Sequence, residues 1–115
     1  MLINKATFKN MTKTATATVG VVMIALLSSG SAFASAELNK SKNCAACHAI
    51  DKKLIGPAFK DIAAKYGADA KAVETLSGKI RAGSVGVWGN IQMPANPQVS
   101  QAEAETLVKW ILTQK

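Results

Sequence analysis

Apolar residues recur at helical spacing along the C-terminal half of the chain. The strongest stripe has members at i, i+3, i+4, i+7 and i+8, and these are Ala104, Leu107, Val108, Ile111 and Leu112. That pattern predicts a helix with one broad buried face. Ser100 and Glu103 precede it with the spacing of a capping box, so the helix is expected to begin directly after Ser100.

A second stripe predicts another helix in the middle of the chain. It runs at i, i+3, i+4 and i+7 through Phe59, Ile62, Ala63 and Tyr66. Pro57 suits the first helical position, and Gly67 is expected to end the helix as its C′ residue.

A third helix is predicted from Asp69, as its cap, to Gly83. Its apolar face is formed by Val73, Leu76 and Ile80. A weaker first helix is expected over about 36–46. Residues 83–99 contain several glycines and prolines and show no helical or strand period, which predicts a long functional loop. The expected fold is therefore all-α, with about four short helices.

The first 34 residues have the features of a secretory signal peptide. Three lysines lead into an apolar core at 19–27 without an acidic residue, and small residues follow. Nine apolar residues fall short of the roughly 20 that a transmembrane helix needs, so no stable membrane anchor is expected. Cleavage is predicted after Ala34, or after Ala36 as the second A-x-A site. The domains are then 1–34, the signal peptide, and 35–115, one small folded domain.

Removal of this leader changes the charge that bears on function. The whole chain carries a net charge of +7. Residues 35–115 hold eleven basic and seven acidic side chains, a net charge of +4. No Arg/Lys stripe with interleaved aromatic residues is visible, so nucleic-acid binding is not expected. A domain of this size is marginally stable by its core alone, and such domains commonly need a disulfide, a metal or a cofactor.

Cys44, Cys47 and His48 form a C-x-x-C-H motif. Two thiols at i and i+3 lie on one side of a helical turn, where both can form thioethers to one edge of a haem. The histidine that follows is a suitable proximal ligand for the iron. The motif therefore predicts one covalently attached haem c, and an exported location in the periplasm agrees with it.

Other readings of the cysteine pair remain as alternatives. A thiol–disulfide oxidoreductase also carries C-x-x-C, but that motif is expected near a βαβ pattern, which the sequence lacks. A zinc site would need two more Cys or His ligands, and the sequence has none.

Met93 is the only methionine after the leader, and Pro94 follows it within the predicted loop. With His48 on one side of the iron, a lone thioether in a proline-bounded loop favours Met93 as the second axial ligand. A His/Met iron has both axial positions filled, which suits an electron carrier and disfavours oxygen or peroxide chemistry.

Four segments in series resemble one family. They are Cys44 to His48, Gly56-Pro57-Ala58, Gly83 to Gly89, and Met93-Pro94-Ala95-Asn96. Together with the final helix, they make residues 35–115 similar to the small bacterial class I monohaem cytochromes c, which donate electrons to nitrite reductases and terminal oxidases. The resemblance implies the class I cytochrome c fold, with its helices wrapped around the haem.

The resemblance also implies roles for individual residues. The Pro57 carbonyl would accept the imidazole N–H of His48, and Asn96 would donate to the Met93 sulfur and hold the loop. Trp88 would donate its indole N–H to a haem propionate. Lys79 or Arg81 would help to neutralise that propionate.

The expected function is a periplasmic electron carrier, not an enzyme, that acts as a monomer. The implied donor is a quinol-oxidising complex, and the implied acceptors are a nitrite reductase, a terminal oxidase or a peroxidase. Docking is expected at an exposed haem edge ringed by lysines such as Lys52 and Lys53. The alternative is a haem-based peroxidase or gas sensor in which Met93 leaves the iron.

Overall fold

The computed structural model describes residues 29–115, so the predicted signal-peptide core and its lysines lie outside the described residues. Four α-helices and one two-stranded antiparallel sheet follow each other along this part of the chain. They are α1 (Ser29–Ser41), α2 (Phe59–Tyr66), α3 (Ala72–Ala82), β1 (Ser84–Gly86), β2 (Gly89–Met93) and α4 (Gln101–Ile111). Within 29–115, none of the helices combines the length and the apolar character that crossing a membrane requires.

Helix α4 lies at the centre of the core and contacts α1, α2 and α3. Four residues of its predicted apolar stripe are buried, and Leu107 and Val108 are about 1% exposed or less, whereas Leu112 is the C-cap and is half-buried. One group of buried side chains joins α4 to α3 and the segment before α4, and it contains Ile80, Val99, Ala104, Leu107 and Val108. A second joins α4 to α2, and it contains Phe59, Ile62 and Ile111. Helix α4 thus connects the other helices of the core.

The capping box at the start of α4 is present. Glu103 N–H donates to Ser100 Oγ (3.1 Å), and Ser100 N–H donates to Glu103 Oε2 (3.1 Å). Lys42, just beyond α1, lies 3.0 Å from the same carboxylate and also donates to the Gln98 carbonyl. Glu103 therefore accepts a hydrogen bond from the Ser100 N–H at the start of α4, and its ion pair with Lys42 connects the end of α1 to α4.

Replacing Glu103 with Gln should weaken the stability of the protein at neutral pH and flatten its acid dependence. The backbone hydrogen bond from Ser100, and next the hydrogen bond from Lys42, lower the pKa of Glu103. A lowered folded-state pKa adds stability that is present above the unfolded-state pKa and is lost as pH falls through the folded-state value. Denaturant unfolding between pH 2 and pH 7 measures this. The control is Glu105→Gln, which removes one charge from α4 and leaves the capping box intact. If stability depended on pH equally in both variants, Glu103 would not be the source of the acid dependence.

The first helix differs from its prediction. It begins at Ser29, before the predicted start at residue 36. It ends at Ser41 instead of running to Ala46, because Asn43 adopts a left-handed conformation with φ 62°. Asparagine tolerates that region better than most residues, so the chain can turn there. A short 3₁₀ turn over Cys44–Ala46 follows, and it carries the start of the cysteine motif.

Helices α2 and α3, in contrast, begin later than predicted. Pro57 is not in the first turn of α2, because Ala58 is the N-cap, and Gly67 ends the helix with ordinary right-handed dihedrals rather than as a left-handed C′ glycine. Lys71 is the N-cap of α3. Asp69 instead accepts the Lys71 N–H at 2.8 Å, in a turn that leads into the helix. Gly83 does end α3, with φ 84°.

Residues 83–99 are not wholly irregular. β1 and β2 form a hairpin in which Ser84 faces Met93 and Gly86 faces Gly89, with an irregular register between the two pairs. Most hairpin side chains are exposed, so no alternation of apolar and polar residues marks these strands in the sequence. The fold is therefore mostly helical, with a small sheet that the sequence pattern did not predict.

A cleft that gathers the cysteine motif and Met93

One cleft of about 410 Å³ brings together every predicted axial and covalent ligand. The 3₁₀ turn supplies Cys44 and Cys47, the next residue supplies His48, and the end of β2 supplies Met93. The walls come from α2, α3, α4 and the hairpin. Residues about 45 positions apart in the chain thus line the same space.

Cys44 and Cys47 are not joined by a disulfide, and both are half-buried. A 3₁₀ turn has 3.0 residues per turn, so side chains at i and i+3 lie above one another. Cys47 N–H and His48 N–H both donate to the Cys44 carbonyl, at 3.1 and 3.0 Å, which fixes this turn. Burial, the largest cause, raises the pKa of the Cys44 thiol.

His48 is held in one orientation by two neighbours. Its Nδ1 lies 2.7 Å from the Pro57 carbonyl oxygen, and its ring stacks on Phe59 with 5.2 Å between ring centroids and 16° between planes. A carbonyl oxygen accepts hydrogen bonds and cannot donate them, so Nδ1 carries the proton. The lone pair of neutral imidazole is then on Nε2, the atom available to a metal. The hydrogen bond to Pro57 that the resemblance implied is present.

Gly56 packs directly against the His48 ring. A Cβ atom added at Gly56 would lie 2.5 Å from His48 Cε1, closer than real Cβ contacts. Gly56 N–H also donates to the Cys47 carbonyl at 2.8 Å. The absence of a side chain at this position therefore lets the 54–57 segment close over the imidazole.

Gly56→Ala should displace the His48 ring and destabilise the protein by about 1–3 kcal/mol, the usual cost of overpacking. Thermal unfolding followed by circular dichroism measures the loss. Gly78→Ala is the matched control, because nothing lies within 4 Å of a Cβ added there and Gly78 is inside α3. The control should gain about 0.5–1 kcal/mol. Equal destabilisation by both substitutions would show that the contact with His48 is unimportant.

Met93 is half-buried and packs against the larger core group, as Cys44 does. The backbone at Met93 also approaches the end of α3 closely, because a Cβ added at Gly83 would lie 2.8 Å from the Met93 carbonyl oxygen. Gly83 has φ 84°, a conformation that glycine adopts without strain. The close approach of Gly83 therefore fixes the position of Met93 at the end of β2.

Asn96 does not donate to the Met93 sulfur, contrary to the expectation. Its Nδ2 donates to the carbonyls of Ile80 and Pro94, both at 3.1 Å. Its backbone N–H also lies 3.1 Å from the Ile80 carbonyl. The last carbonyls of a helix lack partners within the helix, and they are far better acceptors than a thioether. Asn96 therefore holds the segment after Met93 against the end of α3.

Lys79 and Arg81, the two basic residues expected near a haem propionate, have different surroundings in the structure. Lys79 lines the cleft, and its Nζ lies 3.4 Å from Ser84 Oγ. Arg81 is not among the cleft-lining residues, because its Nε donates to the Val99 carbonyl at 3.1 Å. Trp88 also lines the cleft, and it is 42% exposed. Lys53 lies at the cleft, whereas Lys52 is exposed outside its lining.

Sequence reasoning missed two residues that orient His48. The sequence pattern places Phe59 only in the α2 stripe, but its ring stacks on the imidazole and meets Trp110 edge to face, with 5.5 Å between centroids. The pattern places Gly56 only in a turn. The spacing of Gly56 and Pro57 after the motif could indicate a close approach, but no periodicity in the sequence points to the stacking of Phe59.

The residues of the cleft fit a haem. Large apolar side chains at the cleft remain strongly exposed, including Ile55 at 57%, Val85 at 62% and Ile91 at 63%. An exposed apolar group of this kind indicates a bound partner or ligand. A flat apolar ring would cover part of it, while thiols, an imidazole and a thioether are the groups that hold haem iron and its porphyrin.

Comparison with known proteins leads to the same family. A sequence model of the family "Cytochrome c" matches residues 32–115. Cytochrome c-551 of Azotobacter vinelandii is 57% identical over 79 residues, which are 69% of this chain and 95% of that protein. Cytochrome c-552 of Nitrosomonas europaea is 55% identical over 91 residues, covering 79% of this chain and 88% of that protein.

The fold agrees with these sequence relationships. The crystal structure of wild-type Nitrosomonas europaea cytochrome c552 superposes with a TM-score of 0.68 at 55% identity, and the match covers 70% of this chain and 99% of that one. The mostly helical class I cytochrome c fold is thereby confirmed, and the alternative of a thiol–disulfide oxidoreductase is set aside. The chain belongs to the cytochrome c family, as a small class I monohaem electron carrier with covalently attached haem c.

Proposed function

We propose that this protein is a periplasmic electron shuttle whose iron is held between His48 and Met93. The observation that carries the proposal is the convergence of Cys44, Cys47, His48 and Met93 on one apolar cleft. When bound, haem c supplies a one-electron iron couple and the flat surface through which an electron leaves or enters.

The chain's own residues set the properties of that couple. Cys44 and Cys47 would hold the porphyrin edge, and the Pro57 carbonyl keeps the proton on Nδ1 of His48, so that Nε2 would be the nitrogen that binds the iron and would be a more basic ligand. Met93 would fill the opposite side with a thioether, which favours ferrous iron and raises the reduction potential. Asn96 keeps the Met93 loop in place through the end of α3.

Trp88 and Lys79 would contact the propionates. Both line the cleft, and the indole N–H of Trp88 needs an acceptor wherever water is excluded. Lys79 would offer a positive charge on the same side, and we assign this role to Lys79 rather than to Arg81, whose side chain is bound to the segment before α4.

Export would be accompanied by cleavage after Ala34. Ser35 is 5% exposed and lies on the buried side of α1. Cleavage after Ala34 keeps this residue in the folded domain, whereas cleavage after Ala36 would remove it. The mass of the protein recovered from the periplasm distinguishes the two sites.

Partners would dock on the exposed apolar edge of the cleft, guided by Lys53 and Lys79. We propose a quinol-oxidising complex as the donor and a nitrite reductase, terminal oxidase or peroxidase as the acceptor, with the carrier acting as a monomer. Such docking is weak and fast, and it is sensitive to salt.

Reconstituted electron transfer tests this function. The holoprotein should accelerate electron flow from a quinol-oxidising complex to at least one of the three acceptors, and the rate should fall as ionic strength rises. Lys53→Met should slow the transfer, whereas Lys71→Met, which removes an exposed charge outside the cleft, should leave it nearly unchanged. No acceleration with any acceptor, together with carbon monoxide binding to the reduced wild-type protein at neutral pH, would favour a sensor or peroxidase instead.

A further inference from the structure

Lys65 contacts two aromatic residues that line the cleft. It lies in the last turn of α2, and its Nζ is 5.9 Å from the ring centroid of Tyr66 and 5.9 Å from that of Trp88. Both distances fall within the roughly 6 Å range of cation–π attraction. Because Trp88 stands in the turn between β1 and β2, this one ammonium group joins α2 to the tip of the hairpin.

The other side-chain contacts of the hairpin lie at its base. Lys79 reaches Ser84 at the start of β1, and Asn96 binds the segment that follows β2. Both contacts are at the end of the hairpin opposite the Trp88 turn. At the tip, Val87 and Trp88 are 41% and 42% exposed, so burial holds them only in part.

We infer that Lys65 is a positioning residue that keeps the Trp88 indole at the edge of the cleft. The inference rests on the proposed role of Trp88 as a hydrogen-bond donor to the haem. An ammonium group between two aromatic faces restricts the indole without occupying its N–H, which remains available to an acceptor in the cleft. Lys65 thereby acts on the haem environment through Trp88 and not by direct contact.

A different explanation for Lys65 is a simple solvent-exposed charge on α2. Lys60 provides the matched comparison, because it is an exposed lysine in the same helix, and within residues 29–115 it makes no cation–π contact. Lys60→Met and Lys65→Met each remove one positive charge from α2. A rise in exchange at Trp88 that appears in Lys65→Met but in neither Lys60→Met nor Lys65→Arg therefore reports the aromatic contact and not the loss of one positive charge from α2.

Hydrogen exchange in the holoprotein tests the inference. NMR would follow the indole N–H of Trp88 and the backbone amides of residues 87–90 in wild type, Lys65→Met, Lys65→Arg and Lys60→Met. Lys65→Met should raise these exchange rates by roughly two- to fivefold, the range expected for an exposed cation–π contact. Lys65→Arg retains a cation that can stack on the rings and should restore the slow exchange, and Lys60→Met should match wild type.

The reduction potentials of the same samples complete the test. The potential of Lys65→Met should differ from wild type by more than that of Lys60→Met. Unchanged exchange in Lys65→Met would overturn the inference, and so would raised exchange with equal potential shifts in the two Met variants, because Lys65 would then be a structural contact only. If the oxidised wild type lacks the far-red sulfur-to-iron band, the proposed ligation fails, whereas the exchange comparison still reports on the Lys65 contact.

Discussion

Replacing both cysteines, as Cys44→Ala with Cys47→Ala, is expected to abolish covalent haem attachment and to leave most of the protein unfolded. The thiols are the two groups in the chain that can form thioethers. Without a ligand the apolar walls of the cleft stay open to water, and a domain of this size lacks the core to compensate. Mass spectrometry of the exported protein and far-ultraviolet circular dichroism measure the two effects.

Ala46→Ser is the control for this experiment. Ala46 is exposed in the same 3₁₀ turn, so the substitution changes the motif without removing a thiol. The control should carry covalent haem and unfold close to the wild-type temperature. A double-cysteine variant that retained covalent haem, or that folded cooperatively without it, would contradict our assignment of Cys44 and Cys47.

Met93→Ala should lower the reduction potential and allow carbon monoxide to bind the reduced protein. The substitution removes the thioether that favours ferrous iron and leaves that side of the iron open. It should also cost about 2 kcal/mol of stability, the lower end for a buried methionine, since Met93 is half-buried. Redox titration and optical spectra under carbon monoxide measure the first two effects.

Leu76→Ala is the control for Met93→Ala, because it removes core packing without removing an iron ligand. Leu76 lines the same cleft and packs against the same core group as Met93, but it offers no atom to iron. It should destabilise the protein while leaving carbon monoxide unable to bind. Equal carbon monoxide binding by both variants would show that Met93 is not the ligand.

Helix α4 was predictable because its signals are local. A capping box at Ser100 and a five-residue apolar stripe specify its start and its buried face, and both are present. The hairpin was not predictable, because its strands are short and largely exposed and its register depends on backbone pairing across Gly86 and Gly89. The end of α1 was missed because it depends on one left-handed residue, Asn43.

The gathering of the candidate ligands could be expected from the sequence, but their contacts could not. The C-x-x-C-H motif and Met93 suggest ligands by residue type, and the structure brings these residues to one cleft. The side chains that contact these residues are set by tertiary packing, which no local pattern shows; the stacking of Phe59 on His48 is an example. Asn96 shows the limit of transferring a role by resemblance, since its amide had stronger acceptors within reach at the end of α3 than the sulfur of Met93.

The optical spectrum of the wild-type holoprotein tests the central claim most directly. We expect a low-spin c-type spectrum in the reduced state and, in the oxidised state, the weak far-red band of an iron–sulfur bond, because His48 and Met93 line the same cleft. An oxidised protein without the far-red band, or a reduced protein with a high-spin spectrum, would contradict the His48/Met93 ligation on which the account depends.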